Sequence, residues 1–491
     1  MKTLRNYVGG EWVEAEAAGY LDVENPSTGG VLARVPLSTP GDVDRAVAAA
    51  VAAYRGWSRT PVARRVQPLF RLAALLREHE EAIARTLVEE MGKSLPDARA
   101  EIKRATENTE AACGMPILQQ GDKMVGCSQD MDGEVLRQPL GVFATIAPFN
   151  FPAMVPFWFM PYAVATGNTF VLKPSELVPL TMALITEYIH EAGFPKGVFN
   201  LVNGGCAVGE AFTAHPDIRG VSVVGSTATC RIVAETCAHH GKRYQAMGGA
   251  KNHLVAMPDA KFDDMLRNMI TSCYGCAGQR CMASSVIVAV GDAMYAAVCE
   301  RFVAESRRVR VANPLDPAVA DEPMVMGPVI SAKAKAFMHA MIETGLREGA
   351  TLALDGRGLT IPGCENGHFL GPTVFTDVRP DSAIHRTEIF GPVVVILKAA
   401  DLDEAIRIIN GGAYGNGASL YTQNGYYARK FKLEMDAGMI GINVGIPAPV
   451  APLPFGGMKA SLLSDIKTQG KSALQFYTTE KIVTERYWDE V

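Results

Sequence analysis

The chain has 491 residues, of which 48 % are hydrophobic and 20 % charged, and a formal net charge of −5 at pH 7. This length exceeds a single small core and predicts two or more domains of ordinary globular composition. The weak negative charge, with Lys and Arg scattered rather than blocked, excludes a basic field able to hold a polyanion and argues against a nucleic-acid partner.

In chain order, residues 42–55 and 61–91 carry helical patterning. Leu69, Leu72, Leu75, Leu76 and Ile83 face one way, and Arg71, Arg77, Glu78 and Glu81 the other. Residues 97–113 continue in this way. The polar, Gly-containing stretch from Met124 to Gln138 alternates weakly and predicts a β-arm. From Gln138 to Leu172 no residue is charged, a length that would suffice to cross a bilayer. However, Pro148, Pro152, Pro156 and Pro161 interrupt it, and prolines at this density break a helix repeatedly. The stretch therefore reads as buried strand, loop and short helix, with no membrane partner. The start, Met1 to Tyr7, lacks an apolar signal core, and the ten cysteines form no dense framework. Both point to reduced thiols and a cytoplasmic protein.

The texture then changes to short apolar runs between helices. Strands are predicted at Gly141–Ile146, Thr169–Leu172, Val198–Val202 and Val221–Val224, with a helix over about 179–192. A second series starts near His253. It has strands near 284–290 and 393–397 and helices about 261–275 and 331–348. Strands alternating with helices imply βαβ units and parallel sheets, hence an α/β fold. One domain is placed over 1–123 and 139–249, a second over 250–450, and an arm over 124–138 and 470–491. Ala473 to Glu485 is rich in strand formers and predicts an edge strand that joins a partner sheet.

No Gly-x-Gly-x-x-Gly run follows any strand, so a dinucleotide would be held at other strand ends. Val224-Gly225-Ser226-Thr227 opens a helix whose free N–H groups suit a pyrophosphate, although Ser226 is equally an ordinary N-cap. Lys173-Pro174-Ser175-Glu176 places a lysine and a carboxylate past a strand. Such a pair can hold ribose hydroxyls, and the carboxylate would repel a 2′-phosphate, favouring NAD over NADP. Taken alone, the segment is equally a solvated turn.

Three cysteines cluster as Cys273-x2-Cys276-x4-Cys281. A structural zinc site needs four ligands, usually with a second paired motif. None follows, and no metal is predicted. A redox pair at Cys273 and Cys276 is an alternative, but Met269 to Tyr274 reads as helix with Cys273 in the core. Cys281 differs because it follows Gly278-Gln279-Arg280. A loop cysteine beside a guanidinium can be partly thiolate and accessible; by itself it is equally a buried structural thiol.

The segments Pro148-Phe149-Asn150-Phe151-Pro152, Lys173-Pro174-Ser175-Glu176, Gly225-Ser226, Gly278-Gln279-Arg280-Cys281, Glu388-Ile389-Phe390-Gly391-Pro392 and Pro454-Phe455-Gly456-Gly457 follow one another along the chain. Together they resemble the aldehyde dehydrogenases over nearly the whole length. Gly249-Ala250-Lys251-Asn252-His253 with Gly278 to Ala283 resembles specifically the CoA-acylating methylmalonate- and malonate-semialdehyde dehydrogenases. The resemblance implies a Rossmann-like NAD domain, an α/β catalytic domain and an oligomerisation arm in a homodimer or homotetramer.

It further implies that Cys281 attacks the aldehyde, that the Asn150 amide and the Cys281 N–H stabilise the oxyanion, and that hydride leaves to nicotinamide. Lys173 and Glu176 would hold the adenosine ribose, Ser226 the pyrophosphate and Glu388 the nicotinamide ribose. Ala147, Phe149, Gly248 and Phe390 would line the cofactor cleft. Leu177, also in the cofactor set, stands where close relatives often have arginine. Arg104 and Arg280 would bind a substrate carboxylate.

Most of that superfamily keeps a general-base glutamate where this chain has Ala246-Met247. The position is Met247 if the Gly-Ala-Lys-Asn-His end sets the register and Ala246 if the Gly-Gly pair does. Neither side chain takes a proton. Coenzyme A, a thiol, needs no strong base, since a free thiol has a pKa of about 8.5. The expectation is therefore acyl transfer to CoA and loss of CO2, giving propanoyl-CoA or acetyl-CoA. Two alternatives stand beside it: a hydrolytic semialdehyde dehydrogenase that releases a free acid, with an acid such as Glu388 as base, and a non-catalytic aldehyde-dehydrogenase scaffold.

Overall fold

The computed structural model describes residues 2–488. The short apolar runs become strands buried on both faces, as parallel sheets covered by helices require. In the first sheet they are β1 (Val142–Ile146), β2 (Thr169–Lys173), β3 (Phe199–Leu201), β4 (Ile218–Val224) and β5 (Arg243–Met247). They pair in parallel in the order β5-β4-β1-β2-β3. Two antiparallel strands, Asn6–Val8 and Glu11–Val13, extend the β3 edge. This is a Rossmann-like sheet, whose order reverses between β1 and β4, where open α/β sheets form a ligand crevice at the carboxyl ends.

The second sheet is also seven-stranded. It contains β6 (Asn252–Ala256), β7 (Ser284–Val290), β8 (Thr373–Thr376), β9 (Val393–Ala399), β10 (Gly417–Tyr421) and β11 (Met439–Ile442), with Thr351–Leu354 as an antiparallel edge. Only Gly248 to Lys251 separate β5 from β6. The carboxyl end of one sheet is thus stitched to the amino end of the other.

The uncharged stretch folds as β1, the short helices Met154–Phe157 and Met160–Ala165, and β2. Among the described residues no helix is long and apolar enough to cross a membrane. The arm segment forms a hairpin, Lys123–Ser128 with Met131–Pro139. The predicted C-terminal strand needs correction. Gly470–Tyr477 is a helix because Ala473, Phe476 and Tyr477 lie on one stripe and bury there, with Phe476 and Tyr477 edge-on to Phe143. Only Thr478–Arg486 is a strand; it pairs on one side with this chain's own Met131–Pro139 and forms the edge of that three-stranded sheet. Residues 489–491 of the arm assignment lie outside the described residues.

Candidate active site

The loop bearing Cys281 lies between a short 3-10 turn, Gly275–Gly278, and β7. Cys276, Ala277 and Gly278 are all left-handed, with φ of 52°, 52° and 71°. A Cβ at Gly278 would fall 2.3 Å from the carbonyl oxygen of Gly391. The two glycine motifs therefore pack backbone against backbone, and only glycine fits. The loop is tied down by amides. Asn252 Nδ2 and Asn416 Nδ2 both donate to the Cys281 carbonyl at 2.8 Å. Gln279 accepts from the Ile330 N–H at 2.9 Å, and its own carbonyl accepts from Asn150 Nδ2 at 3.0 Å. Asn150 and the Cys281 loop are thus brought together across 129 residues.

The Cys281 thiol accepts from its own N–H and that of Met282, but burial, with Glu388 second, pushes it up to about 12. Arg280, the neighbouring guanidinium, turns away from the thiol. Its Nε donates to Cys276 Sγ at 3.2 Å, and its Nη2 pairs with Asp97. Burial alone would raise the Asp97 carboxyl; Arg280 and Lys93 outweigh it and hold it below the usual range. In the enzyme without bound ligands, alkylation of Cys281 by iodoacetamide should therefore accelerate about tenfold per pH unit, without a plateau up to about pH 9, because the thiolate reacts. Peptide mapping against pH checks this, and a plateau near neutrality would refute the elevated thiol. Cys273, as the helical reading expects, is buried on Phe262–Tyr274, and its Sγ meets the Ser284 carbonyl at 2.8 Å.

A cavity of about 260 Å³ opens in front of Cys281. One wall is the helix Leu95–Cys113, which starts at Ser94, whose side chain accepts from the Asp97 N–H at 3.2 Å. Asp97, Glu101, Arg104 and Asn108 all line the cavity, as spacings of four, three and four residues place them on one helical face. Arg104 is held only by Glu107, at 2.7 Å on the exposed side. Phe151, Trp158 and Phe455 supply apolar walls.

Sequence reasoning singled out Arg104 alone on this helix and missed Asp97, Glu101 and Lys93. Lys93 is fully buried. Its Nζ donates to the Asn150 carbonyl at 2.6 Å, pairs with Glu101, and lies 3.9 Å from the Phe151 ring centre. Glu101 in turn accepts from the Ala153 and Met154 N–H groups at 2.8 and 3.0 Å. The i+4 periodicity could have found Asp97 and Glu101; nothing local marked Lys93.

The residues named for NAD gather at the carboxyl edge of the first sheet. Ala147 follows β1 and donates to the Lys173 carbonyl at 2.9 Å. Lys173 ends β2 and pairs with Glu176 at 2.9 Å. Leu177 is exposed and bears no charge for a phosphate. Ser226 follows β4 and caps the 13-residue helix Thr227–His239, accepting from the Thr229 N–H at 3.2 Å. Its N-cap role is therefore real, and its hydroxyl remains exposed at a helix N-terminus. Gly248 follows β5, and a Cβ there would stand 2.6 Å from the Ala460 carbonyl oxygen. Across the cleft, Phe149 and Phe390 meet edge to face at 5.8 Å. Glu388 accepts from the Ala250 N–H at 2.8 Å, and burial pushes its carboxyl up to about 7. This is a glycine-lined cleft at a strand-order reversal, with a lysine–carboxylate pair and a free helix end, and it fits a dinucleotide.

The missing acid takes a definite place. Alternation along β5 puts Ala246 in a cluster with Val221, Val223 and Cys230. Met247 falls in the other cluster, with Trp158, Cys276, Met282 and Phe455, against which Cys281 packs. Of the two side chains, Met247 is the one in the cluster that Cys281 borders.

Residues 12–483 match the aldehyde dehydrogenase family, and the chain belongs to that family. It is similar to malonate-semialdehyde dehydrogenase 1 of Geobacillus thermodenitrificans (strain NG80-2), with 45 % identity over 99 % of both chains. Malonate-semialdehyde dehydrogenase of Halalkalibacterium halodurans is 43 % identical over 99 % of this chain and 98 % of its own. Among solved structures, methylmalonate-semialdehyde dehydrogenase from Oceanimonas doudoroffii superposes with a TM-score of 0.97 at 38 % identity, covering 100 % of this chain and 99 % of the other. A Sinorhizobium meliloti 1021 chain solved in complex with NAD matches with the same score, identity and coverage.

Proposed function

We propose that this enzyme oxidises a carboxylate-bearing semialdehyde, malonate or methylmalonate semialdehyde, with NAD and passes the acyl group to coenzyme A. The observation that carries this reading is the apolar pair Ala246-Met247 at the place of a water-activating base, with Met247 in the core cluster that Cys281 borders. Names borne by similar proteins support the substrate class. Residues 1–123 and 139–249 would carry NAD, 250–450 would complete the catalytic side, and the arm would join copies of the chain.

In this reading the Cys281 thiol gives its proton to water, and the thiolate bonds to the aldehyde carbon as the carbonyl π electrons move to oxygen. Asn150 Nδ2 and the Cys281 N–H receive the oxygen, whose charge they stabilise better than that of the neutral carbonyl. Ala147, Phe149, Lys173, Glu176, Ser226, Gly248, Glu388 and Phe390 would hold NAD, which when bound supplies the hydride acceptor. The acyl group then rests on Cys281 as a thioester. With Met247 in place of an acid, water finds no base, whereas the CoA thiolate attacks the acyl carbon and expels the Cys281 thiolate. A carboxylate β to that carbon can leave as CO2 before transfer, with the carbanion taking up a proton.

Arg104 is the guanidinium with a hand free for the substrate carboxylate, because Arg280 is already matched by Asp97. Replacing Arg104 by alanine should raise KM for malonate semialdehyde about 10- to 100-fold, the loss of a charged hydrogen bond of about 1.5–3 kcal/mol. KM for propanal, which has no carboxylate, should stay unchanged. Equal losses on both aldehydes would remove Arg104 from the substrate site.

A further inference from the structure

Gly249 to His253 run from the connection between the two sheets into β6, and their side chains reach two different places. Lys251 and His253 point to one side of the strand. Lys251 Nζ donates to the Ile384 and Thr387 carbonyls at 3.0 and 2.8 Å. His253 Nε2 lies 2.8 Å from His385 Nε2, with the rings edge to face. Both contacts grip the short helix Ala383–Arg386 and the residues that lead into Glu388. The Ala250 N–H holds the Glu388 carboxylate itself. A Cβ at Gly249 would lie 2.4 Å from Glu388 Oε2, so the carboxylate rests on the bare backbone of the cofactor cleft. Asn252, between the two, points the other way, as strand alternation demands. Its Nδ2 donates to the Cys281 and Ala283 carbonyls at 2.8 and 3.0 Å, and its Oδ1 accepts from the Gly417 N–H at 2.9 Å.

The histidine pair has one consistent proton arrangement. His385 Nδ1 is 2.8 Å from the Pro380 carbonyl, which can only accept, so Nδ1 carries the proton. Burial pushes His385 down to about 4 and His253 below its usual value, so both rings are neutral. His385 Nε2 is therefore an acceptor, and His253 Nε2 donates to it. His253 Nδ1 is then a buried acceptor that meets no hydrogen-bond donor among the described residues.

We propose that Gly249–His253 is a positioning segment that sets Glu388 and Cys281 independently from the two faces of one strand. His253, through His385, fixes the Ile384–Glu388 segment against the cofactor cleft, and Asn252 fixes the nucleophile loop. His253 and Asn252 are positioning residues in this scheme, since each acts through another group. The inference rests on Glu388 facing NAD and Cys281 being the reactive thiol, and not on the CoA step.

The test uses the full-length protein and two readouts other than turnover: NAD affinity by calorimetry, and the alkylation rate of Cys281 without NAD. His253→Leu should weaken NAD binding about tenfold or more, as misplacement of a contact group does, and leave the NAD-free alkylation rate unchanged. His253→Gln, whose amide can donate to His385 Nε2, should restore NAD affinity. Asn252→Ala should alter the alkylation rate and leave NAD affinity unchanged. If His253→Leu fails to fold, Lys251→Met carries the same expectation for NAD. Unchanged NAD affinity in the folded variant, failure of His253→Gln to rescue it, or parallel shifts of both readouts in both variants would overturn the proposal. None of these measurements uses a semialdehyde or CoA, so a failure of the proposed reaction would leave them interpretable.

Discussion

Met247→Glu is expected to free turnover from CoA. The side chain at 247 joins the cluster against which Cys281 packs, so a carboxylate there stands on the side of the thioester. Burial raises a carboxyl into the range where it accepts a proton near neutral pH, and a positioned general base contributes about 10²- to 10⁴-fold. NADH formation without CoA should rise by about that factor, with a free acid as product. Ala246→Glu is the control. That side chain faces Val221, Val223 and Cys230, and it should lower stability without opening a hydrolytic route. Product analysis by mass spectrometry, with melting curves for both variants, separates the outcomes. Equal hydrolysis by both, or by neither, would contradict the register.

Asn150→Ala should lower kcat by about 10²- to 10³-fold, the loss that follows removal of one oxyanion donor. The amide is poised by its bond to Gln279 and by the Lys93–Glu101 pair beneath its backbone. The effect should fall on the chemical step, so KM for the aldehyde changes little and the NADH burst slows with kcat. Stopped-flow absorbance of NADH reads both. A large rise in KM with an unaltered burst would make Asn150 a binding residue instead.

What the sequence made legible follows from how local each signal is. β1, β2, β4 and β7 read directly, because strands buried on both faces are uninterrupted apolar runs. Gly470–Tyr477 misled because its aromatics Phe476 and Tyr477 run directly into the β-branched residues from Thr478 on, while packing on Phe143 selected helix. The candidate nucleophile, its amide partner and the strand-end residues proposed for NAD were legible through the ordered motifs that resemble the family. The charge state of the site was not. Arg280 beside Cys281 looked like an activator, but its partner Asp97 lies 183 residues away, and no local pattern reports such a pairing. For the same reason Lys93 under Asn150 and the His253–His385 pair were invisible until the fold brought them together.

The reaction is decided by what relieves the Cys281 thioester. The direct measurement is steady-state NADH formation by the wild-type enzyme from malonate semialdehyde, with and without CoA. The account predicts slow turnover without CoA and a rise of about 10²-fold or more when it is added, with acetyl-CoA as product. Steady turnover without CoA at the rate seen with it, yielding a free acid, would contradict the account.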